Sequence, residues 1–546
     1  MKLARPHLSH ALIIGSAIGL AACGGGGGGG GGSTTTTTPT PLVLSGNATN
    51  GAALAGVTVD AKCTAGSGSA TTDANGHYRI SIDGGALPCV LRTPNGSSAL
   101  HSVAEAGGNQ SLTANLTPLS EALVANLAGA APANLYANFD SAAQGRITAG
   151  NISSARANLI AALAGVTDIN ALDPLKDDLS SAPAATDTAL GKLATALTDA
   201  RLSQADLDAT LATAGSITAP IKTVLQAASA TCSGLRSGSY WLFVPFVSAG
   251  GTQRITIDAK NLSVRYADAN IDTLVDQGGC QFSTPDNDQI YVAASGVTLL
   301  RYAAGSGKTG IALIIPEQTL PVSAVAGTWN EIGFGRDTSS APFEGWSAQS
   351  TLDSAGNFTS NLDCGSGLGV TCTDDILPTQ LKVNNDGGFD TTYQGSTTRI
   401  FAFRTASGST MLVGTSPDGS NLSVLSKVSS LTLPTVGAVT RYWNMSVNST
   451  GYQGSFISET TTITANNAAA NTYTRSHASD GHEETLTINQ PKDGMRYRPA
   501  AIATNSGGGT VNVSAAVLMR VGDTGFTVAR NVTSGQNFFA MSIDRP

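Results

Sequence analysis

The sequence predicts a multidomain, mainly β protein with a helical insert, and three observations support this fold class. The chain has 546 residues, which is more than one hydrophobic core usually organises, so several domains are expected. Hydrophobic residues make up 41% and charged residues only 12%, with 63 glycines, and this balance favours turn-rich β structure. Between residues 117 and 230 the β pattern gives way to alanine-rich segments with leucines at helical spacing.

Residues 1–22 are typical of an export signal, because a positively charged end is followed by the short apolar stretch Ala11–Leu20. The tetrapeptide LAAC at 20–23 closes it and resembles the lipobox of bacterial lipoproteins. That resemblance implies cleavage before Cys23, a lipid on Cys23 and, with Gly24 next, sorting to the outer membrane of a Gram-negative cell. An ordinary secretory signal with an incidental cysteine is the alternative.

Residues 23–41 form a predicted linker of glycine, threonine and proline. Glycine has no side chain to bury and a large backbone entropy to lose, so such a segment builds no core. The expected localisation is therefore the outer membrane through a lipid anchor, and the periplasmic and surface faces both remain open.

Six cysteines remain after Cys23, an even number that suggests disulfides in an exported chain. Because they lie as neighbours in separate regions, the predicted pairs are Cys63–Cys89, Cys232–Cys280 and Cys364–Cys372. Metal binding by these cysteines is the rival interpretation, but there is no C-x-x-C pair to support it.

Residues 42–116 predict a small β-sandwich. Val57, Val59, Ala61 and Cys63 alternate with polar residues, and a turn at 73–76 separates two strands. The segments GVTV (56–59) and TDANGHY (72–78) resemble the carboxypeptidase regulatory-like, or prealbumin-like, β-sandwich. This resemblance implies a non-catalytic spacer or binding module.

Residues 117–230 predict a helical domain. Thr117 is a plausible N-cap before Pro118, and Ser203 begins another helix with Asp206 in the capping-box position. Alanine-rich helices with sparse leucines bury little area, so a structural role is the default expectation.

Residues 231–546 predict tandem antiparallel β units, each a barrel or a sandwich, at 231–320, 321–432 and 433–546. QTLPVSAVAGTWNEIGF (318–334) is similar to LTLPTVGAVTRYWNMSV (431–447), which aligns Trp329 with Trp443. A weaker match, SGSYWLF (237–243), places Tyr240 at the corresponding position.

The opening strand Gly327-Thr328-Trp329 resembles the Gly-x-Trp strand of lipocalins. The resemblance implies a barrel closed at one end by the indole, with Tyr240, Trp329 and Trp443 next to cavities for a small ligand. The alternative is a β domain with a filled core.

One histidine cluster lies in SHASDGHEE (476–484), where His477, Asp480, His482 and Glu483 surround a tight turn. These side chains suit a divalent metal, but a charged hairpin tip explains them equally and is favoured, so no metal or cofactor is predicted. Gly307-Lys308-Thr309 is not a nucleotide-binding loop, because Tyr302 stands where that motif needs glycine.

The net charge of −8 without a basic cluster disfavours nucleic-acid binding. The sequence therefore predicts a lipid-anchored, non-catalytic cell-envelope protein that presents β domains for structural or binding roles. Its partners would be the membrane, through the lipid, and a small apolar ligand, a glycan or an envelope protein. A lipocalin-like binding protein for a small apolar ligand or glycan is the alternative, and an envelope hydrolase is the second alternative.

Overall fold

Three kinds of module follow one another along the chain: a β-sandwich, a group of helices and three antiparallel β modules. The first two β modules are nine-stranded, barrel-like sheets and the third is a closed barrel, and we call them barrels 1 to 3. The computed structural model describes residues 40–107, 110–177, 189–246, 251–336, 340–365, 367–368, 370–533 and 537–546. The predicted fold class, mainly β with a helical insert, is confirmed. The predicted signal peptide, Cys23 and the linker up to residue 39 lie outside the described residues.

The sandwich consists of a three-stranded sheet in the order β4-β1-β7 and a four-stranded sheet in the order β3-β2-β5-β6. Its strands are β1 (Leu42–Asn47), β2 (Thr58–Ala65), β3 (Ser67–Thr71), β4 (His77–Ile82), β5 (Ala86–Asn95), β6 (Ser98–Ala104) and β7 (Ser111–Thr113). Alternation buries one face of each sheet, as with Leu42 and Leu44 of β1 against Ile80 and Ile82 of β4. Side chains of both sheets therefore meet in one apolar layer.

The helices are α1 (Pro118–Ala128), α2 (Pro132–Ala137), α3 (Ser141–Arg146), α4 (Ala149–Leu163), α5 (Ala189–Ala200), α6 (Gln204–Ala214) and α7 (Ala219–Val224). Thr117 caps α1 and Ser203 caps α6, as the sequence predicts, and both caps are capping boxes, with Ser120 and Asp206 as the respective partners. Helix α1 docks on β6 through a buried polar contact, since His101 Nδ1 lies 2.9 Å from Glu121 Oε2. The helices thus continue the sandwich.

Barrel 1 (Gly238–Pro316) is a meander in which the first and last strands pair. Its strands are β8 (Gly238–Val244), β9 (Gly251–Asp258), β10 (Ser263–Arg265), β11 (Ile271–Thr273), β12 (Val275–Gly278), β13 (Gln281–Ser283), β14 (Gln289–Val292), β15 (Thr298–Ala303) and β16 (Thr309–Pro316). The two ends of the sheet, β11 and β12, are separated only by Leu274. One bent chain segment therefore provides both edges, and the sheet wraps around a single inner core.

Barrel 2 (Gly327–Lys427) repeats this topology strand for strand. A short 3-10 helix at Val322–Val325 precedes it. Its strands are β17 (Gly327–Gly335), β18 (Glu344–Leu352), β19 (Phe358–Gly365), β20 (Thr373–Asp374), β21 (Lys382–Val383), β22 (Phe389–Tyr393), β23 (Ser396–Arg404), β24 (Thr410–Thr415) and β25 (Asn421–Lys427). The ends of the sheet are again consecutive strands, β20 and β21.

Barrel 3 (Val439–Asp544) is an eight-stranded closed barrel with one inserted hairpin. Its strands are β26 (Val439–Asn448), β27 (Gln453–Asn467), β28 (Thr472–His477), β29 (Glu483–Ile488), β30 (Met495–Arg498), β33 (Ala516–Arg520), β34 (Phe526–Asn531) and β35 (Phe538–Asp544). The insert between β30 and β33 is a two-stranded sheet of β31 (Ala501–Thr504) and β32 (Thr510–Val513).

The outward faces of the three barrels share one apolar core, which we call the shared core. Phe246 of barrel 1 packs edge-on against Phe334 of barrel 2 at 5.3 Å between ring centroids. Phe334 in turn stacks on Phe539 of barrel 3 at 5.6 Å. Arg530 of barrel 3 is fully buried beside this core, and its Nε donates to Ser347 Oγ of barrel 2 at 2.7 Å. Residues Pro41–Pro546 accordingly form one compact unit.

Three disulfides are present, Cys63–Cys89, Cys232–Cys280 and Cys364–Cys372. These are the neighbour pairs predicted from the sequence. Each bond joins parts of the same module, so none links the sandwich to a barrel.

Candidate functional site

The interior of barrel 1 is filled by apolar side chains. Tyr240, Ile255, Phe282 and Ile314 belong to its inner core, and Phe282 is completely buried. The Tyr240 hydroxyl donates to the Arg236 carbonyl oxygen at 2.8 Å. The predicted cavity residue Tyr240 is therefore a packed core residue with a satisfied polar end.

Tyr240 also reaches a polar groove outside the barrel, between α7 and the start of β8. This groove has a volume of about 480 Å³, and its walls include Lys222, Arg236, Glu317 and Gln318. A second groove of about 430 Å³ lies on the helical module. Neither groove resembles the enclosed apolar chamber that the lipocalin resemblance implies.

Trp329 lies in the inner core of barrel 2, at the end where β17 begins. It is completely buried, and its indole N–H donates to the carbonyl oxygen of Val325 in the preceding 3-10 helix at 2.8 Å. In the other half of the interior, the Trp346 ring lies over Gly333, where an added Cβ would be 2.2 Å from the ring. Tryptophan side chains thus occupy both halves of this barrel.

Trp443 does not lie inside barrel 3, and the predicted equivalence with Trp329 is wrong in register. Trp443 belongs to the shared core and contacts the ring of Tyr291 in barrel 1 at 5.0 Å between centroids. Because strand residues alternate between faces, the inward neighbour is Tyr442, which pairs across the strands with Glu459. A shift of one residue between the two repeats moves the indole to the opposite face.

The interior of barrel 3 contains a network of charges. Glu484 is buried, with Arg475 Nε at 2.6 Å from Oε1 and Arg498 Nη1 at 3.0 Å from Oε2. Burial alone would raise the pKa of Glu484, but the charges of Arg475 and Arg498 and the neighbouring His477 lower it well below its usual value. The carboxylate therefore stays ionised although it is out of solvent.

Two histidines lie beside this network with parallel rings, 4.1 Å apart between centroids. His477 Nδ1 lies 3.4 Å from Glu459 Oε2, and His477 Nε2 lies 3.2 Å from Glu484 Oε1. His482 Nδ1 lies 2.5 Å from Asp480 Oδ1. Each ring therefore has one nitrogen directed at its own carboxylate.

The predicted metal candidates come together only in part. Potential ligand atoms of His477, His482 and Glu484 all lie within 4.8 Å of one another. Glu483, the residue predicted from sequence, is exposed because it points to the outside of β29, so it is corrected to Glu484. Asp480 contacts His482 and does not belong to the group.

The inserted hairpin of barrel 3 covers the turn that carries His482. Both the backbone N–H and the hydroxyl of Ser506 donate to the Asp480 carbonyl oxygen, at 2.7 and 2.9 Å. The turn is thus fixed from outside by an element for which barrels 1 and 2 have no counterpart in the described chain.

Each of the four histidines among the described residues has a carboxylate partner. His77 lies 3.3 Å from Asp73 in an exposed hairpin, and His101 is buried against Glu121. The hydroxyl of Ser479 donates to Glu459 rather than to a histidine. This arrangement does not match a serine–histidine–acid relay, in which the histidine accepts from the serine.

No protein-family model and no curated protein matches the chain. By structure it is similar to transferrin binding protein B of Neisseria meningitidis, at 8% identity over 54% of this chain and 66% of that chain, with a TM-score of 0.20. It is also similar to transferrin binding protein B of Haemophilus parasuis, at 9% identity over 54% of this chain and 65% of that chain, with a TM-score of 0.17. A third similar structure is a Bacteroides fragilis protein provisionally described as an outer membrane protein, at 10% identity, 42% and 100% coverage and a TM-score of 0.14.

The chain spans just under two thirds of the transferrin binding proteins it matches. TM-scores of 0.20 or less do not establish a shared fold, so the site is interpreted from its own geometry. Among the described residues, no helix has the length and apolar character needed to cross a membrane.

Proposed function

We propose that this is a lipid-anchored cell-envelope protein without catalytic activity, which presents its fused barrels for a structural or binding role at their outer surface. The observation that carries this proposal is the filling of barrels 1 and 2. Tyr240, Trp329 and Trp346 occupy the positions where a lipocalin-like protein would hold a small apolar ligand. A partner therefore meets loops and outer strands.

Export is supported by two independent features. The sequence LAAC at 20–23 resembles a lipobox, and all six later cysteines are in disulfides. Disulfides persist in oxidising compartments such as the bacterial periplasm. Both features fit a chain that is moved out of the cytoplasm and attached through Cys23.

The anchor is tested with Cys23→Ala, which should abolish incorporation of a palmitate analogue and release the protein from the membrane fraction. Ser33→Ala, in the same low-complexity segment but outside the lipobox, is the control and should label like the wild type. Labelling of the Cys23→Ala protein would contradict the anchor.

The filled interior is tested with a fluorescent apolar probe of fatty-acid type. The wild type should show no saturable binding, whereas Trp329→Ala should gain binding because it removes the largest side chain at the end of barrel 2 where β17 begins. Stoichiometric binding by the wild type would favour the lipocalin-like alternative.

A further inference from the structure

Barrel 3 contains a pair of histidines in an arrangement that a charged hairpin tip does not require. His477 is buried at 8% exposure, and its Nε2 makes no hydrogen bond of acceptable geometry. That nitrogen faces Glu484 Oε1 across 3.2 Å. A buried imidazole nitrogen needs a partner, and here the nitrogen and the carboxylate oxygen are both placed where one cation could be bound between them.

The carboxylates around the rings have the roles that outer carboxylates have in histidine–metal sites. A ligating histidine usually gives its second ring nitrogen to a carboxylate, which fixes the tautomer and the orientation of the ring. Here Glu459 takes that position for His477, and Asp480 takes it for His482. The orientation of each ring is thereby fixed through its Nδ1 atom.

The distances suit a small divalent ion. Two ligands bound to zinc at about 2.0–2.1 Å in tetrahedral geometry are about 3.3 Å apart, close to the 3.2 Å between His477 Nε2 and Glu484 Oε1. His482 contributes the third potential ligand within 4.8 Å of the other two. The turn 478–482 is a short connection, so a modest movement of His482 completes the set.

We propose that His477, His482 and Glu484 bind one divalent transition-metal ion, with zinc as the best fit to two imidazoles and one carboxylate. Arg475 and Arg498 hold the carboxylate of Glu484 in place, while Glu459 and Asp480 supply the negative charge that balances them. The three protein ligands leave a fourth position for water or for a group from a partner. The site goes beyond the proposed envelope role and does not depend on the lipid anchor.

The test is a titration of the untagged full chain with Zn²⁺ alone, in competition with a chromogenic chelator, and with Co²⁺ followed by its visible absorption. The wild type should bind one ion. His482→Gln should weaken binding about 100-fold or more because it removes a ligand, and Asp480→Asn should weaken it about tenfold to 100-fold because it releases the ring of His482. His482 is chosen because its side chain is less buried than that of His477, and circular dichroism verifies that the variant is folded.

Two controls make the result specific. Glu483→Gln should bind like the wild type, because Glu483 points out of the barrel. His77→Gln should also be unchanged, because the exposed His77–Asp73 pair is a histidine–carboxylate contact without a second histidine. The proposal is overturned if the wild type binds no ion, if folded His482→Gln binds as tightly as the wild type, or if either control loses binding to the same degree.

Discussion

Barrels 1 and 3 share a meander topology but differ in what their interiors contain. The inner core of barrel 1 is apolar, with Phe282 and Ile290 at its centre. The corresponding space in barrel 3 contains Glu484 held by two arginines, and two histidines next to it. A meander of antiparallel strands therefore supports both an apolar interior and one in which an apolar cluster lies beside a charged network.

The difference lies on the inner faces, because both barrels bury apolar side chains on their outer faces in the shared core. In barrel 3 an inner apolar cluster that includes Leu486, Ile488 and Leu518 lies beside the charged groups. Buried polar groups in such a place must satisfy one another. The inner core of barrel 1 is apolar as well, so the two interiors differ in the charged network that barrel 3 adds.

Truncating a side chain that barrel 3 contributes to the shared core should give the largest loss in the free energy of unfolding. Phe539→Ala removes a fully buried ring that stacks on Phe334, and such a truncation costs about 3–5 kcal/mol. In urea-induced unfolding followed by tryptophan fluorescence, the variant should unfold at a lower urea concentration than the wild type, and all three barrels should unfold together. A change confined to barrel 3 would show that the shared core does not couple the barrels.

Neutralising the inner carboxylate of barrel 3 should cost roughly 3 kcal/mol at pH 7, because Glu484→Gln leaves two partly buried arginines without their anion. Since the folded pKa of Glu484 is lowered, its contribution is complete above the unfolded pKa of about 4.3 and is lost as the pH falls below it. The stability difference between wild type and variant should therefore shrink from pH 5 to pH 3, as measured by urea unfolding at each pH. A difference that stays constant over this range would contradict the ionic interior.

A small truncation inside barrel 1 should have the smallest effect and no dependence on pH. Ile290→Val removes one methylene from an apolar core, at a cost of about 1 kcal/mol. Because no titrating group is altered, the same loss is expected at pH 7 and pH 4. A pH-dependent loss would show that the interior of barrel 1 is not as apolar as its side chains indicate.

Local features of the sequence were sufficient to predict much of the fold. Thr117 and Ser203 carry the chemistry of helix caps in themselves, and the three cysteine pairs lie close together along the chain. The β-rich pattern of residues 231–546 predicts recurring antiparallel units, and barrels 1 and 2 share one strand order.

The sequence did not show which residues of a strand point into the barrel and which point outward. Trp443 and Tyr442 are adjacent, and so are Glu483 and Glu484, and only the register of pairing decides which of each pair points inward. The contact between His101 and Glu121 crosses from the sandwich to the helices, so no local pattern shows it. The sequence identifies the histidine cluster but not which carboxylate faces it, and the carboxylate of Glu459 was missed because it arrives from another strand.

The shared core also limits how this protein can be divided, in the laboratory or in evolution. A barrel taken alone would expose the apolar face that its neighbours now cover, and an exposed patch of that kind promotes aggregation. Loss of one repeat by a gene deletion would leave the two survivors with the same uncovered surface. Fragments designed for expression, epitope display or crystallography should consequently keep residues 231–546 together, which also retains the Cys232–Cys280 disulfide.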